Sequence, residues 1–272
     1  TSLLQLPTGT VDPYIVGGMT LVASPDRERA ARLLADDAMV IRCGDSPVLD
    51  RWRRQRDGEP RRSDTRSEAV REYVSIGFGT PEQPATTDHL EGLVAELFWN
   101  RLLKERRVCS DGRELVHAHS VKPDPLEPGG DGLVVYKTPE GSLVFRLWEI
   151  KKHESNAPVS ATIGRASNQL AERGTQYLAK LAGPETIAQG GDLGQLYAEL
   201  VELWLDKHVR AGVGVSVSTS AHRAPTRPAA FGSILRAFPE FSGPGQAEAL
   251  VIAIPDFPQF SRRVREIVWS GL

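Results

Sequence analysis

From Leu143 to Lys151 the chain reads Leu-Val-Phe-Arg-Leu-Trp-Glu-Ile-Lys, a run of β-branched and aromatic residues that ends in charge. Side chains alternate along a strand, so Leu143, Phe145, Leu147, Glu149 and Lys151 share one face, and Val144, Arg146, Trp148 and Ile150 share the other. The first of these faces changes from apolar to charged at Glu149. Upstream lies a second apolar run, Leu133-Val134-Val135-Tyr136, and Thr138-Pro139-Glu140-Gly141 between the two has the composition of a turn. Two short β-type runs around a Gly-containing turn predict an antiparallel hairpin.

The remaining elements arrange themselves around that hairpin. Tyr14-Ile15-Val16 and Ala38-Met39-Val40-Ile41 read as strands, and Pro25 to Leu34 as a helix capped by Ser24. A helix from Asp88 to Leu103 is apolar around most of its circumference, which predicts burial on more than one side and makes Glu91 and Glu96 its odd members. Helices are expected from about Arg165 to Leu181, Leu193 to Val209 and Phe257 to Trp269. Val213 to Val217 and Leu250 to Ile254 supply two further strands. The expected fold class is α/β, a mixed β-sheet flanked by helices over residues 86–272, with residues 1–85 as an N-terminal α+β elaboration. Within that elaboration, Arg51 to Arg71 holds eight Arg and reads as a solvated loop. Arg53 and Arg54 are its candidates for touching a nucleic-acid backbone, because phosphate contacts call for Arg.

Composition narrows the classes. The formal net charge is -2, so any nucleic-acid contact must be a local groove and not a bulk field. Cys43 and Cys109 form no Cys-x-x-Cys pair, which excludes a zinc ribbon and fits a reducing cytoplasm. The longest apolar stretch, Ala249 to Ile254, is far short of the ~20 residues of a membrane helix, and no membrane partner is expected. Gln189-Gly190-Gly191-Asp192 lacks the Gly-Lys-Ser/Thr of a phosphate loop, and Ser216 to Ser220 lacks a nucleophile elbow. His117-x-His119 would place two rings on one strand face, but without a third ligand nearby it reads as ordinary surface histidine.

The chemistry concentrates at the hairpin. Two residues of strand rise separate Glu149 and Lys151 by roughly 6.6 Å, close enough to serve one phosphate. Asp131, set between Gly130 and Gly132 at the start of the partner run, can converge on the same end. Hard carboxylate oxygens hold Mg²⁺ or Mn²⁺, and a cation beside them offsets charge that builds on a reacting phosphate. Asp131 and Glu149 are therefore the candidate metal ligands, with the main-chain carbonyl of Ile150 as a third, and Lys151 is the candidate to orient or help deprotonate water. An acid-x-Lys triplet alone is expected about once by chance in such a chain, so the context carries the reading.

The order of parts, an acidic helix, Gly130-Asp131-Gly132-Leu133, a hairpin, Trp148-Glu149-Ile150-Lys151 and a helix, resembles the PD-(D/E)xK superfamily with its restriction-endonuclease-like fold over about residues 86–220. The resemblance implies a divalent-metal DNA nuclease with Asp131, Glu149 and Lys151 at its signature positions, and Gly130 stands where the pattern has Pro. It implies a helical acid, Glu96 in preference to Glu91, as a further metal ligand. Gln169 in the following helix, and Lys152, are candidates to touch nucleic acid. Nuclease subunits of this size resemble those of restriction and phage-defence systems, including Hachiman-type subunits that work beside a helicase, so a helicase or ATPase partner or self-association is expected. The rival reading is a catalytically silent nucleic-acid-binding or assembly subunit with the same fold.

Overall fold

The computed structural model describes residues 8–11, 14–61, 63–119, 121–122 and 131–272. Gly129 and Gly130, expected to loosen the backbone ahead of Asp131, lie outside the described residues. The strands are β1 (Thr8–Val11), β2 (Tyr14–Thr20), β3 (Glu114–Ala118), β4 (Gly132–Lys137), β5 (Leu143–His153), β6 (Val213–Ser220) and β7 (Ala247–Ile254). They form one sheet in the order β1-β2-β7-β6-β5-β4-β3. β2, β7, β6 and β5 are mutually parallel, and antiparallel pairs β1–β2, β4–β5 and β3–β4 extend the two sides. The mixed α/β sheet and the hairpin of β4 and β5 agree with the sequence.

Helices cover both faces, as a sheet with four parallel strands requires. On one face α1 (Ser24–Cys43), α2 (Pro47–Arg56), α3 (Thr65–Phe78), α4 (Thr87–Glu105) and α8 (Phe257–Trp269) share an apolar cluster with Val134, Tyr136, Trp148, Ile150 and Ile252. On the other, α5 (Val159–Ala188), α6 (Gly191–Leu205) and α7 (Gly232–Ala237) pack on Leu133, Val135, Phe145, Leu147, Val215 and Ala249.

Three expectations for the first 85 residues are overturned. Ser24 does not cap α1 but is its first residue, with Ala23 at the cap position and no side-chain hydrogen bond there. Ala38 to Ile41 is not a strand but the last part of α1, because Ala31, Leu34, Ala35, Ala38, Met39 and Arg42 keep one buried helical face. The Arg-rich stretch is not a loop: it is α2 up to Arg56 and α3 from Thr65, anchored by buried Leu49, Trp52, Val70 and Val74. Ser46 and Asp64 cap the two helices, accepting from Leu49 N and Ser67 N. Among the described residues no helix is long and apolar enough to cross a membrane.

Candidate active site

The alternation along β5 is the one expected. Phe145 and Leu147 enter the α5–α6 layer, Trp148 and Ile150 the α4–α8 layer, and Glu149 and Lys151 continue the first face toward the C-terminal end of the strand. Glu149 is fully buried, and neither of its oxygens has a well-formed hydrogen bond. Nζ of the partly exposed Lys151 forms an ion pair with Oε1 at 2.5 Å.

Asp131 reaches this pair because β4 starts one residue later. The last β4–β5 pair is Gly132 with Trp148, so the next amide turned to that side, that of Ile150, has no strand opposite it. Asp131 Oδ2 accepts that amide at 2.7 Å. In an extended strand a residue's carbonyl points to the same side as its amide, so the Ile150 carbonyl opens beside Asp131. Gly132 matters for a separate reason: a Cβ there would come within 2.1 Å of the Trp99 ring on α4. That close approach, with Trp99 against Trp148 at 5.8 Å, sets α4 over the strand end. Glu96, one turn before Trp99, is thereby brought to the carboxylates.

The electrostatics record the convergence. Burial first, and then the neighbouring Asp131 charge, push both Glu149 and Glu96 up to about 8. Burial also raises Asp131, against the opposing pull of Lys151 and of the Ile150 amide. Burial alone would lower the Lys151 ammonium, yet Glu149 and Asp131 hold it above the ordinary lysine range. Three acids thus face two lysines, Lys151 and Lys122, in a poorly hydrated place, and without a further positive charge they favour protonation.

The remaining sequence candidates separate by layer. Glu91 does not join the cluster: it is paired with Lys152 Nζ at 2.8 Å, and Asp88 holds the same ammonium at 2.8 Å. Lys152 therefore faces α4 and is spent on two acids. The cap of α4 is Thr86, whose Oγ1 accepts from His89 N. Gln169 Nε2 donates to the Tyr177 hydroxyl at 3.0 Å, and Tyr177 is close enough to Lys151 to act on its charge. Arg53 and Arg54 stay on α2 in the other layer, where Arg53 grips Asp36 at 2.8 and 2.6 Å and Arg54 pairs with Glu59 at 3.1 Å. A cation that the sequence reading missed is Lys122, whose charge acts on both Glu96 and Asp131. Only the chain's short supply of Lys singles it out in the sequence.

Among the described residues no three His, Cys, Asp or Glu side chains are already drawn together tightly enough to cage a cation. The donor set nevertheless suits a hard divalent ion, which is commonly held by one or two carboxylates with the rest of its sphere left to water and phosphate. The buried Glu149 carboxyl, crowded by Asp131 and met by the Lys151 ammonium, is the observation that calls for such a charge. No protein-family model matches this sequence, and no curated protein is similar to it.

Proposed function

We propose that this chain is a divalent-metal-dependent nuclease that hydrolyses DNA phosphodiester bonds, with Asp131, Glu149 and Lys151 as its catalytic residues. The observation that carries the reading is Glu149: a fully buried carboxylate within β5 whose partner is the Lys151 ammonium and which is pressed against a second carboxylate, that of Asp131. Burial of such a charge is costly and no packing role of this residue repays it.

Asp131, Glu149 and the Ile150 carbonyl would hold Mg²⁺ or Mn²⁺, with Glu96 close enough to contribute through water. The ion would supply Lewis acidity toward the phosphate and lower the pKa of a bound water. Lys151 stays protonated at neutral pH, held so by Glu149 and Asp131. Its Nζ therefore donates to a water or a non-bridging phosphate oxygen and offsets the charge that develops there, and it is a poor proton acceptor. Tyr177, fastened by Gln169, acts on the charge of the same ammonium. The Ile150 amide fixes Asp131, so one acid of the pair is oriented by backbone and not by a flexible partner. A restriction or phage-defence setting, with a helicase, an ATPase or a second copy of the chain as partner, suits a nuclease that must be kept in check.

The test is cleavage of supercoiled plasmid, linear single- and double-stranded DNA, and RNA in Mg²⁺, Mn²⁺ or EDTA. Metal-dependent cutting by the wild type, reduced at least 10²-fold in both Glu149→Ala and Lys151→Ala, is the expected result. Undiminished cutting in either variant would remove the assignment, and tight nucleic-acid binding without cutting would favour a silent binding subunit.

A further inference from the structure

The two histidines of the edge strand do not sit as an ordinary strand would place them. β3 pairs with β4 through Leu115↔Tyr136 and then His117↔Val135, so Val116 and His117 together oppose one residue. Tyr136 and Leu115 belong to the α4 side of the sheet. Strict alternation would send His117 to that side too. The extra residue reverses the phase: Ala118 now faces the α4 side, and His117 and His119 turn to the side of Val135 and Leu133, which is the side of Glu149 and Lys151. Bulges re-aim side chains in this way beside functional sites. Val116, the residue squeezed out, is 43% exposed.

The re-aimed rings are held in place. His119 Nε2 lies 2.9 Å from the buried Tyr197 hydroxyl, its amide donates to Leu133 O at 2.9 Å, and its carbonyl accepts from Asn100 Nδ2 at 2.8 Å. His117 packs edge-on against His119 at 5.2 Å and against Tyr197 at 6.2 Å. His117 itself has no hydrogen-bond partner among the described residues, and its ring is half-buried. A ring fixed by two aromatic neighbours but with both nitrogens uncommitted is a donor awaiting an acceptor. Lys122, three residues beyond His119, acts on Asp131 and Glu96. With strands ~4.8 Å apart and ~3.3 Å of rise per residue, β3 places His117 roughly 16 Å from Glu149, about four to five base-pair steps of a duplex at ~3.4 Å each.

We propose that β3 forms a second contact site for the nucleic-acid strand, with His117 donating a ring N–H to a backbone phosphate a few nucleotides from the reacting one. The proposal rests on the nuclease reading for its ligand class, but its test reads binding and not cleavage. Affinity for a fluorescent 20-mer duplex and for the matching single strand is measured by anisotropy in EDTA and again in Ca²⁺, for wild type, His117→Ala and His117→Arg. His117→Ala is expected to weaken binding about three- to tenfold, the size of one net hydrogen bond, with unchanged thermal unfolding. His117→Arg is expected to restore affinity and to make log Kd steeper in log salt by about 0.9 relative to His117→Ala, a change that a purely structural histidine would not produce. Equal affinities of wild type and His117→Ala, or no measurable affinity of the wild type for either strand form, would overturn the proposal. Wild-type binding that depends on His117 without any cutting in Mg²⁺ or Mn²⁺ would uphold the contact and remove the nuclease assignment.

Discussion

Glu149 is the residue whose energetic cost is plainest. Its carboxyl and that of Glu96 are pushed up to about 8 by burial and by Asp131, whereas an unfolded glutamate titrates near ~4.3. The folded state therefore binds more protons between those values. Stability from this source is complete below about pH 4.3 and is lost as pH rises through about 8. The metal-free protein is expected to lose on the order of 1–3 kcal/mol between about pH 5 and pH 8, and Glu149→Gln, which cannot ionise, to lose less. Thermal melts in EDTA at both pH values check this. A Glu149→Gln protein no more stable than wild type at pH 8 would show that the buried charge carries no penalty. Mg²⁺ binding competes with the same protons, so its affinity is expected to rise with pH over that interval in calorimetric titrations. The neighbouring lysines give a second contrast. Lys151 touches the carboxylate pair while Lys152 is committed to Glu91 and Asp88 on the other side of the sheet. Lys152→Ala should keep the wild-type pH profile and metal dependence of cutting and lower stability through the orphaned, buried Glu91, by about 1–3 kcal/mol in urea titrations. If Lys152→Ala instead matched Lys151→Ala in lost cleavage with no change in unfolding, the division of labour by strand face would be wrong.

At the scale of elements, the meeting of α4 with β4 decides which acid reaches the site, and Gly132 is its hinge of contact. A methyl there would enter the Trp99 ring, so Gly132→Ala must move α4 or the strand end that carries Asp131. The expected cost is about 1–3 kcal/mol, together with a larger fall in cleavage than the stability loss explains, read as kcat at a temperature where the variant is folded. Full activity in a folded Gly132→Ala protein would show that the placement of α4 is not tight. This contact also marks where sequence reading stops. Glu149 and Lys151 could be named because strand alternation is a local rule, and Asp131 because it directly precedes the partner strand of the hairpin. The choice between Glu91 and Glu96 depends on how α4 is rotated against a glycine more than thirty residues away, and no local pattern records that. The β3 bulge was invisible for the same reason, since it is a property of the pairing with β4. In the Arg-rich segment local signals misled: the charged density hid the buried Leu49 and Trp52, and the acid that joins Arg53 and Arg56 is Asp36 on another helix. Ala38 to Ile41 was a short apolar run, which periodicity cannot assign between strand and helix, and its continuation of the α1 face settled it as helix.

Across the whole molecule the sheet carries two unlike charge networks. The crowded carboxylates lie where β4 stops short of β5, beside Glu149 on one face of the sheet. The opposite face of β5 carries a buried network in which two guanidiniums meet two carboxylates. Arg146 is fully enclosed, and burial pulls its guanidinium down to about 10. It reaches Gly245 O at 2.5 Å and lies 3.6 Å from Glu248, which also holds Arg113 at 2.8 Å. Arg113 in turn grips Asp111 at 2.7 Å and lies over the Tyr136 ring at 4.8 Å. The loop before β3, the hairpin and β7 are thereby locked together on the face of β5 opposite Glu149. Both networks bury charge, but Glu149, Glu96 and Asp131 outnumber the lysines beside them whereas Arg146 and Arg113 are matched by Glu248 and Asp111, which is why the first is assigned to chemistry and the second to the fold. Glu248→Gln leaves two buried guanidiniums with a single surface carboxylate between them and is expected to cost about 3–5 kcal/mol. For a chain of this size that is a fall in Tm of roughly 6–20 °C. The loss should be independent of Mg²⁺ and should leave metal-dependent cleavage per folded molecule unchanged, because β5 keeps its register with β6. Urea titrations with and without Mg²⁺, paired with cleavage assays well below the transition, separate the two networks. A Glu248→Gln protein of wild-type stability, or one that cuts poorly while fully folded, would mean that the two networks are not independent.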